Sequence, residues 1–204
     1  MTGIILCGGK GSRLGYKNKP LLKIGERTLI ERVISRLKEV CLEEIICVNE
    51  TNFPPPLFTN YPSVITIQDI IPQKGPLVGL YTGLCVSKNF YNFVVASDMP
   101  FISVNLIKYM KEQTDDADII IPKTKNGIES LHAIYSKNCL DVLRQKIDNE
   151  KEKLAISSIF SELKVKYILE EEILKFSIPE IAFFNINTKE DLLKAKRLAN
   201  EFEK

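Results

Sequence analysis

Short apolar segments alternate with longer amphipathic segments along most of the 204-residue chain. Gly3–Cys7 (GIILC) is a continuous apolar run of the length that a buried strand requires. Thr28–Val40 (TLIERVISRLKEV) instead has the periodicity of a helix, and Thr28 with Glu31 predicts a capping box at its first turn. The apolar stripe of this predicted helix consists of Ile30, Val33, Ile34 and Leu37.

The same two patterns continue to the end of the chain. Further strands are predicted at Glu44–Val48, Val64–Gln68, Asn92–Ser97, Ala117–Pro122, His132–Tyr135, Lys164–Ile168 and Phe183–Ile186. Further helices are predicted at Pro76–Ser87, Ser103–Gln113, Lys137–Ile147, Lys153–Leu163 and Thr188–Phe202. Strands that alternate with helices predict a Rossmann-like α/β fold, with three α/β/α layers and a mostly parallel sheet. No linker or repeat divides this series, so we expect one domain over residues 1–204.

Composition and charge exclude several classes of protein. The net charge of +2 is too close to neutral for a dedicated nucleic-acid-binding protein. No apolar run is long enough for a signal peptide or a membrane span, and we expect a cytoplasmic protein without a membrane partner. Five cysteines without a Cys-x-x-Cys pair, together with one histidine, argue against a zinc site and favour reduced thiols.

The segment Leu6–Gly15 (LCGGKGSRLG) predicts a phosphate-binding loop. It is not a Walker loop, because Gly9 stands at the lysine position, and it is not a dinucleotide loop, because Leu14 stands at the third glycine position. Pro20 prevents a helix from following at once, so Leu21–Ile24 is predicted as a short extended piece. Five cations that precede the first acid favour a triphosphate ligand, and these are Lys10, Arg13, Lys17, Lys19 and Lys23.

Polar side chains follow three of the predicted strands. Asn49, Asp69 and Asp98 each stand at a strand end, where open α/β sheets bind their ligands. An isolated carboxylate beside a triphosphate usually holds Mg²⁺, which we predict for Asp98, although each of the three residues is also a common turn former. The glycines of Gln73–Leu84 either let the chain approach a base or sugar or only pack a helix tightly.

These segments together resemble a known family. The pattern LCGGKGSRLG…KPLL resembles the signature of nucleotidyltransferases that begin with a glycine-rich loop. The later segments IQDII, GPLVGLYTGL, ASDMPFI, ESLHAIYSK and FFNINTKEDL resemble, in order and spacing, the MobA family of molybdenum cofactor guanylyltransferases. The resemblance extends from Gly3 to Ala195 and implies a nucleotidyltransferase domain.

The resemblance implies an activity and a set of site residues. Members of this family transfer GMP from GTP to molybdopterin or its molybdenum-loaded form and release pyrophosphate, and a protein that delivers the labile cofactor is implied as a partner. The implied catalytic residues are Arg13, Lys19 and Asp98, with Mg²⁺ on Asp98. The implied nucleotide contacts are Leu6, Cys7, Gly8, Gly9, Arg13, Lys19, Asn49, Asp69 and Asp98. The implied residues on the pterin side are Asn185 and Asn187.

Two other functions fit much of the same pattern. A cytidylyltransferase or a sugar-phosphate nucleotidyltransferase would share the glycine-rich loop, Lys19 and Asp98. A nucleotide sensor that binds without reacting would keep the loop but would not need Asp98. Among the remaining polar residues, His132 lies in an apolar strand and is predicted to pack or to contact the substrate rather than to act as a base. Glu170–Glu172 is predicted as a solvated edge.

Overall fold

The computed structural model describes residues 1–8, 18–41, 43–49, 61, 63–71, 75–149 and 155–202. The strands within these residues lie near predicted strands or extended segments, except the short strands at residues 27–28 and 127–128, which were not predicted. In chain order they are β1 (Thr2–Leu6), β2 (Lys23–Ile24), β3 (Arg27–Thr28), β4 (Ile45–Asn49), β5 (Val64–Gln68), β6 (Tyr91–Ala96), β7 (Ile119–Thr124), β8 (Gly127–Ile128), β9 (His132–Ser136) and β10 (Val165–Leu169).

The main sheet has the strand order β10-β7-β9-β6-β1-β4-β5, and β8 pairs with β7. Strand β1 pairs in parallel with β4 on one side and with β6 on the other, while β9 runs antiparallel to both β6 and β7. The carboxyl ends of β1, β4, β5 and β6 therefore meet at one edge of the sheet. This arrangement confirms the predicted mostly parallel α/β fold.

Five α-helices lie at predicted positions with ends that differ by up to three residues, and the short helices α5 and α6 were not predicted. They are α1 (Leu29–Leu37), α2 (Pro76–Val86), α3 (Val104–Glu112), α4 (Cys139–Asn149), α5 (Glu170–Ile173), α6 (Pro179–Ala182) and α7 (Lys189–Phe202), with 3₁₀ helices at Lys19–Leu21 and Ile156–Glu162. The predicted capping box is confirmed at α1, because Glu31 N–H donates to Thr28 Oγ1 at 3.3 Å and Thr28 N–H donates to Glu31 Oε2 at 2.7 Å. No helix in these stretches is long and apolar enough to cross a bilayer.

Alternating side chains of the sheet divide the core between its two faces. On β1, Ile5 packs in the cluster that contains α1 and α3, whereas Ile4 and Leu6 pack in the cluster that contains α2 and α4. Helix α2 lies close to the sheet, since a Cβ on Gly83 would stand only 2.6 Å from Ile4 Cγ2. Of the two roles open for the glycines near α2, the one at Gly83 is therefore tight packing.

Two predicted elements near the carboxyl terminus are wrong. Phe183–Ile186 is not a strand, since it follows α6 without regular structure. Its side chains Phe183 and Ile186 are buried by packing rather than by pairing in the sheet, and Phe184 is half-buried. Residues 156–162 of the predicted helix Lys153–Leu163 form a 3₁₀ helix instead, while residues 153 and 154 lie outside the described part. The predicted extended piece Leu21–Ile24 is strand only over Lys23–Ile24.

The acidic run Glu170–Glu172 is more than the solvated edge that we predicted. It forms α5, and Glu172 accepts hydrogen bonds from the Tyr109 hydroxyl and from Leu169 N–H. Glu170 accepts a hydrogen bond from Lys125 N–H at 2.6 Å. These carboxylates therefore join the end of β10 to α3 and to the turn that follows β7.

Candidate functional site

A pocket of about 450 Å³ opens at the carboxyl ends of β1, β4 and β6. Its position is the switch point of the sheet, where the strand order leads from β1 to β4 on one side and to β6 on the other. It is lined by Leu6, Gly8, Val48, Asp69, Gly75, Pro76, Gly79, Ala96, Ser97, Asp98, Leu131, Asn185 and Asn187. Six residues predicted at the site thus share one pocket, namely Leu6, Gly8, Asp69, Asp98, Asn185 and Asn187, and their roles stay predictions.

The backbone at the end of β1 is held on both sides as it enters the pocket. Cys7 N–H donates to Val48 O at 2.8 Å, and Ser97 N–H donates to Leu6 O at 3.0 Å. The Cys7 side chain is buried in the α1 cluster, and burial raises the pKa of its thiol well above the ordinary value. Cys7 is not among the residues that line the pocket, so its predicted contact with the nucleotide stays a prediction.

Lys19 and Asp98 form an ion pair at the edge of this pocket. Lys19 begins the 3₁₀ helix whose next residue is the buried Pro20, and its Nζ contacts Asp98 Oδ2. The same Nζ donates to Asn187 Oδ1 at 2.9 Å. Three residues predicted at the site, from three distant parts of the chain, therefore meet around one ammonium group.

The second carboxylate oxygen of Asp98 fits a role in holding a cation. Asp98 Oδ1 is buried and accepts no hydrogen bond from any residue that the structure describes. Within the same residues, no group of three or more His, Cys, Asp or Glu side chains could form a metal cage of its own. Mg²⁺ is commonly held by one or two carboxylates together with substrate phosphates, and a single strand-end aspartate suits that arrangement.

Asp69 faces the pocket from the opposite side, beside the start of α2. It is 9% exposed, and a Cβ on Gly79 would lie 3.6 Å from Asp69 Oδ1 and 3.2 Å from a methyl group of Leu6. Gly79 thus marks the point where α2 approaches both residues. Gly75, the N-cap of α2, has φ +91°, a backbone conformation that favours glycine.

Some of the predicted residues cannot be placed in this geometry. Gly9 and Arg13 lie outside the described residues, as do the loop cations Lys10 and Lys17. Asn49 ends β4, where its backbone pairs with Gln68, and its side chain lies outside the described part. The phosphate-binding role of the loop therefore stays a prediction.

Of the two roles predicted for His132, packing and substrate contact, the structure supports packing. The side chain is fully buried, with ring centroids 5.0 Å from Phe93 and 4.9 Å from Phe183. Burial lowers the pKa of His132 to about 3, so the imidazole stays neutral near pH 7.

Sequence reasoning missed Leu131, which lines the pocket just before β9, and Asp191 behind Asn187. A signal existed for Asp191, since Thr188 and Asp191 have the T-x-x-D spacing of a helix N-terminus. Leu131 had no such signal, because its place in the wall follows from the turn between β8 and β9.

Known proteins resemble this chain over almost its whole length. The model of the MobA-like NTP transferase domain matches residues 3–164. A probable molybdenum cofactor guanylyltransferase of Pelotomaculum thermopropionicum is 36% identical over 200 residues, which cover 97% of this chain and 93% of that protein. A molybdenum cofactor guanylyltransferase of Desulfosudis oleivorans is 34% identical over 197 residues, which cover 96% of this chain and 94% of that protein.

Solved structures agree with these sequence matches. The crystal structure of molybdopterin-guanine dinucleotide biosynthesis protein A from Archaeoglobus fulgidus matches with a TM-score of 0.83 and 25% identity, covering 99% of this chain and 100% of that one. A 4-diphosphocytidyl-2C-methyl-D-erythritol synthase from Anaerococcus prevotii shares the fold, with a TM-score of 0.73 and 15% identity, and the match covers 98% of this chain and 95% of that one. The family model matches most of the chain and the relatives match it over nearly their full length, so the chain belongs to the MobA-like NTP transferase family.

Proposed function

We propose that this protein transfers GMP from GTP to molybdopterin, or to its molybdenum-loaded form, and releases pyrophosphate. The observation that carries the proposal is the pocket at the carboxyl ends of β1, β4 and β6, where Asp98 and Asn187 meet Lys19. The names of the full-length relatives support the choice of nucleotide and acceptor. A cofactor-delivery protein and a cytoplasmic setting belong to the same proposal, and the five free cysteines are consistent with a reducing compartment.

The proposed reaction needs positioning and charge neutralisation rather than a protein nucleophile. The terminal phosphate of the acceptor attacks the α-phosphorus of GTP, and both reactants are anions that repel each other. The Lys19 ammonium places a positive charge where the two anionic reactants come together, and its hydrogen bond to Asn187 Oδ1 fixes the position of that charge. His132 plays no part as a base, because it is neutral, buried and packed between two phenylalanine rings.

Asp98 is the residue of the described pocket that would hold Mg²⁺. Its buried Oδ1 accepts no hydrogen bond from the described residues, and its Oδ2 is paired with the Lys19 ammonium. Bound Mg²⁺ would neutralise phosphate charge as a Lewis acid. We expect Arg13 to add a second cation to the phosphates.

The nucleotide is tested first, because the fold is shared with an enzyme that handles a cytidyl group. Thermal unfolding is compared with GTP, CTP, UTP and ATP, each with Mg²⁺. A nucleotide present at 100 times its dissociation constant stabilises the protein by about 2.7 kcal/mol, which shifts the midpoint by several degrees. The proposal requires the largest shift with GTP, whereas the largest shift with CTP would favour a cytidylyltransferase.

Turnover is tested by pyrophosphate release from GTP in the presence and absence of molybdopterin. Release that requires the acceptor supports the transferase. Binding of GTP without release of pyrophosphate, with molybdopterin or its molybdenum form present, would instead support a nucleotide sensor.

A further inference from the structure

We propose that Asp191 is a positioning residue that fixes Asn187, and through Asn187 holds the Lys19 ammonium at the reaction site. The proposal deepens the function proposed above and rests on it for its effect on turnover. Asp191 lies at the start of α7 and is not among the residues that line the pocket, whereas its partner Asn187 is, and the segment otherwise has the form of an ordinary helix cap.

The first contacts link Asp191 to the residues before α7. Asp191 Oδ2 accepts hydrogen bonds from Asn187 N–H at 2.9 Å and from Thr188 N–H at 2.8 Å. Asp191 N–H in turn donates to Thr188 Oγ1 at 3.1 Å. One carboxylate oxygen thus fixes two successive peptide groups, and the backbone of Asn187 has little freedom to rotate.

The next contacts lead from this fixed segment into the site. The Asn187 side chain accepts the hydrogen bond from Lys19 Nζ at 2.9 Å. One residue earlier, Ile186 N–H donates to Asp98 O at 3.1 Å. Adjacent residues of one short segment therefore hold both members of the Lys19–Asp98 pair, one through its side chain and the other through its backbone.

Hydrophobic packing joins the same segment to the chain that carries Lys19. Ile186 and Ala195, before and within α7, are fully buried in one cluster with Ile24 of β2 and Leu29 of α1. Lys19 lies only a few residues before β2. A shared core between these two pieces of chain keeps Asn187 and Lys19 at a fixed separation.

The geometry explains why Lys19 needs a second acceptor. A lysine ammonium is a compact charge on a stem with four rotatable bonds, so one ion pair leaves its position loosely defined. Two acceptors from different elements restrict it much more strongly. Displacements of a charged group by about 1 Å can cost around 100-fold in rate, which makes this restriction relevant to turnover.

The charge of Asp191 is also coupled to the site. Its burial opposes ionisation, but the hydrogen bonds from Asn187 and Thr188 outweigh burial, and the positive charge of Lys19 adds to them, so the pKa of Asp191 lies below its ordinary value. Asp191 is therefore ionised throughout the neutral range in which the enzyme would be assayed.

The test compares Asp191→Ala with a matched cap elsewhere. Thr28 and Glu31 form the equivalent box at α1, where the Glu31 carboxylate accepts from Thr28 N–H and has no contact with Asn187, so Glu31→Ala is the control. The first readout is the acylation rate of Lys19, followed by peptide mass spectrometry on the nucleotide-free chain. The second is the split between kcat and KM for GTP in pyrophosphate release.

The proposal makes the same prediction for Asp191→Ala and Asn187→Ala. Both raise the acylation rate of Lys19 several-fold, and Asp191→Ala lowers kcat roughly 10-fold while KM for GTP stays within about 2-fold. Asp191→Asn, which keeps an acceptor oxygen, recovers part of kcat. Glu31→Ala lowers thermal stability but leaves the acylation rate and kcat near those of the unaltered protein.

Failure of this proposal is distinguishable from failure of the proposed function. If the unaltered protein releases no pyrophosphate from GTP, the function is wrong, and the acylation rates still decide whether Asp191 positions Lys19. If Asp191→Ala leaves the acylation rate of Lys19 unchanged and matches Glu31→Ala in both readouts, Asp191 is only a helix cap.

Discussion

Replacement of His132 is expected to change how the stability of the protein depends on pH. This residue is the single histidine of the chain, and its side chain is fully buried between Phe93 and Phe183. Neither ring nitrogen has a hydrogen-bond partner among the residues that the structure describes. The variants His132→Leu and His132→Gln remove the titrating group while keeping a side chain of similar size.

The magnitude follows from the two pKa values of His132. Burial lowers the pKa in the folded state to about 3 from the ordinary value of 6.5, so between these values the unfolded state binds a proton that the folded state does not. The stability from His132 is complete above pH 6.5 and is lost as the pH falls towards 3. At pH 5 the loss amounts to about 2 kcal/mol relative to pH 8, since each unit below the unfolded pKa costs about 1.4 kcal/mol.

The assay is urea unfolding followed by circular dichroism at pH 8 and pH 5 for all three proteins. The carboxylates change the unfolding free energy with pH by the same amount in all three proteins. The quantity compared is therefore the difference in unfolding free energy between pH 8 and pH 5 for each protein. Both variants should lose about 2 kcal/mol less than the unaltered protein over this range. An equal loss in all three proteins would refute the reasoning, because His132 would then be titrating normally in the folded state.

Three further predictions concern Asp98, Gly83 and the cysteines. Asp98→Ala should lose roughly 2–4 kcal/mol of transition-state stabilisation in pyrophosphate release. The control is Asp141→Ala, on the exposed side of α4. Near-normal turnover by Asp98→Ala would remove Asp98 from the site. Gly83→Ala should destabilise the fold by about 1–2 kcal/mol in urea unfolding, because its Cβ would lie 2.6 Å from Ile4 Cγ2. The double variant Ile4→Ala/Gly83→Ala should lose less unfolding free energy than the sum of the losses of the two single variants. An unchanged urea midpoint in Gly83→Ala would contradict the packing. A thiol reagent should modify Cys85 rapidly and the other cysteines only after unfolding, since Cys85 alone among the five is exposed; rapid reaction of two or more thiols in the folded protein would contradict the burial.

The fold could be predicted from sequence wherever local patterns determine the element. The apolar runs at β1, β5 and β6 and the Thr28–Glu31 cap of α1 require no knowledge of the rest of the chain. The sequence also predicted that Asp69 and Asp98 line the same pocket, because the carboxyl ends of parallel strands share one edge of the sheet.

Other features depend on contacts between distant residues and had no local signal. Phe183–Ile186 is as apolar as a strand, yet it does not pair in the sheet, because Phe183 packs against His132 and Ile186 packs in the cluster that contains α7. The acidic run Glu170–Glu172 acquires its role only because Tyr109 and Lys125 are folded against it. The contact between Lys19 and Asn187, which are 168 residues apart, likewise exists only in the folded chain.

The most direct test of the proposed function follows the two ends of the GTP phosphate chain in a single turnover. GTP labelled with ³²P at either the α- or the γ-phosphate is mixed with excess protein, Mg²⁺ and molybdopterin, and the products are separated. The proposed function predicts that the α-label appears in a pterin–guanine dinucleotide and the γ-label in pyrophosphate. Recovery of the α-label only as free GMP, or of the γ-label on the pterin, would contradict it.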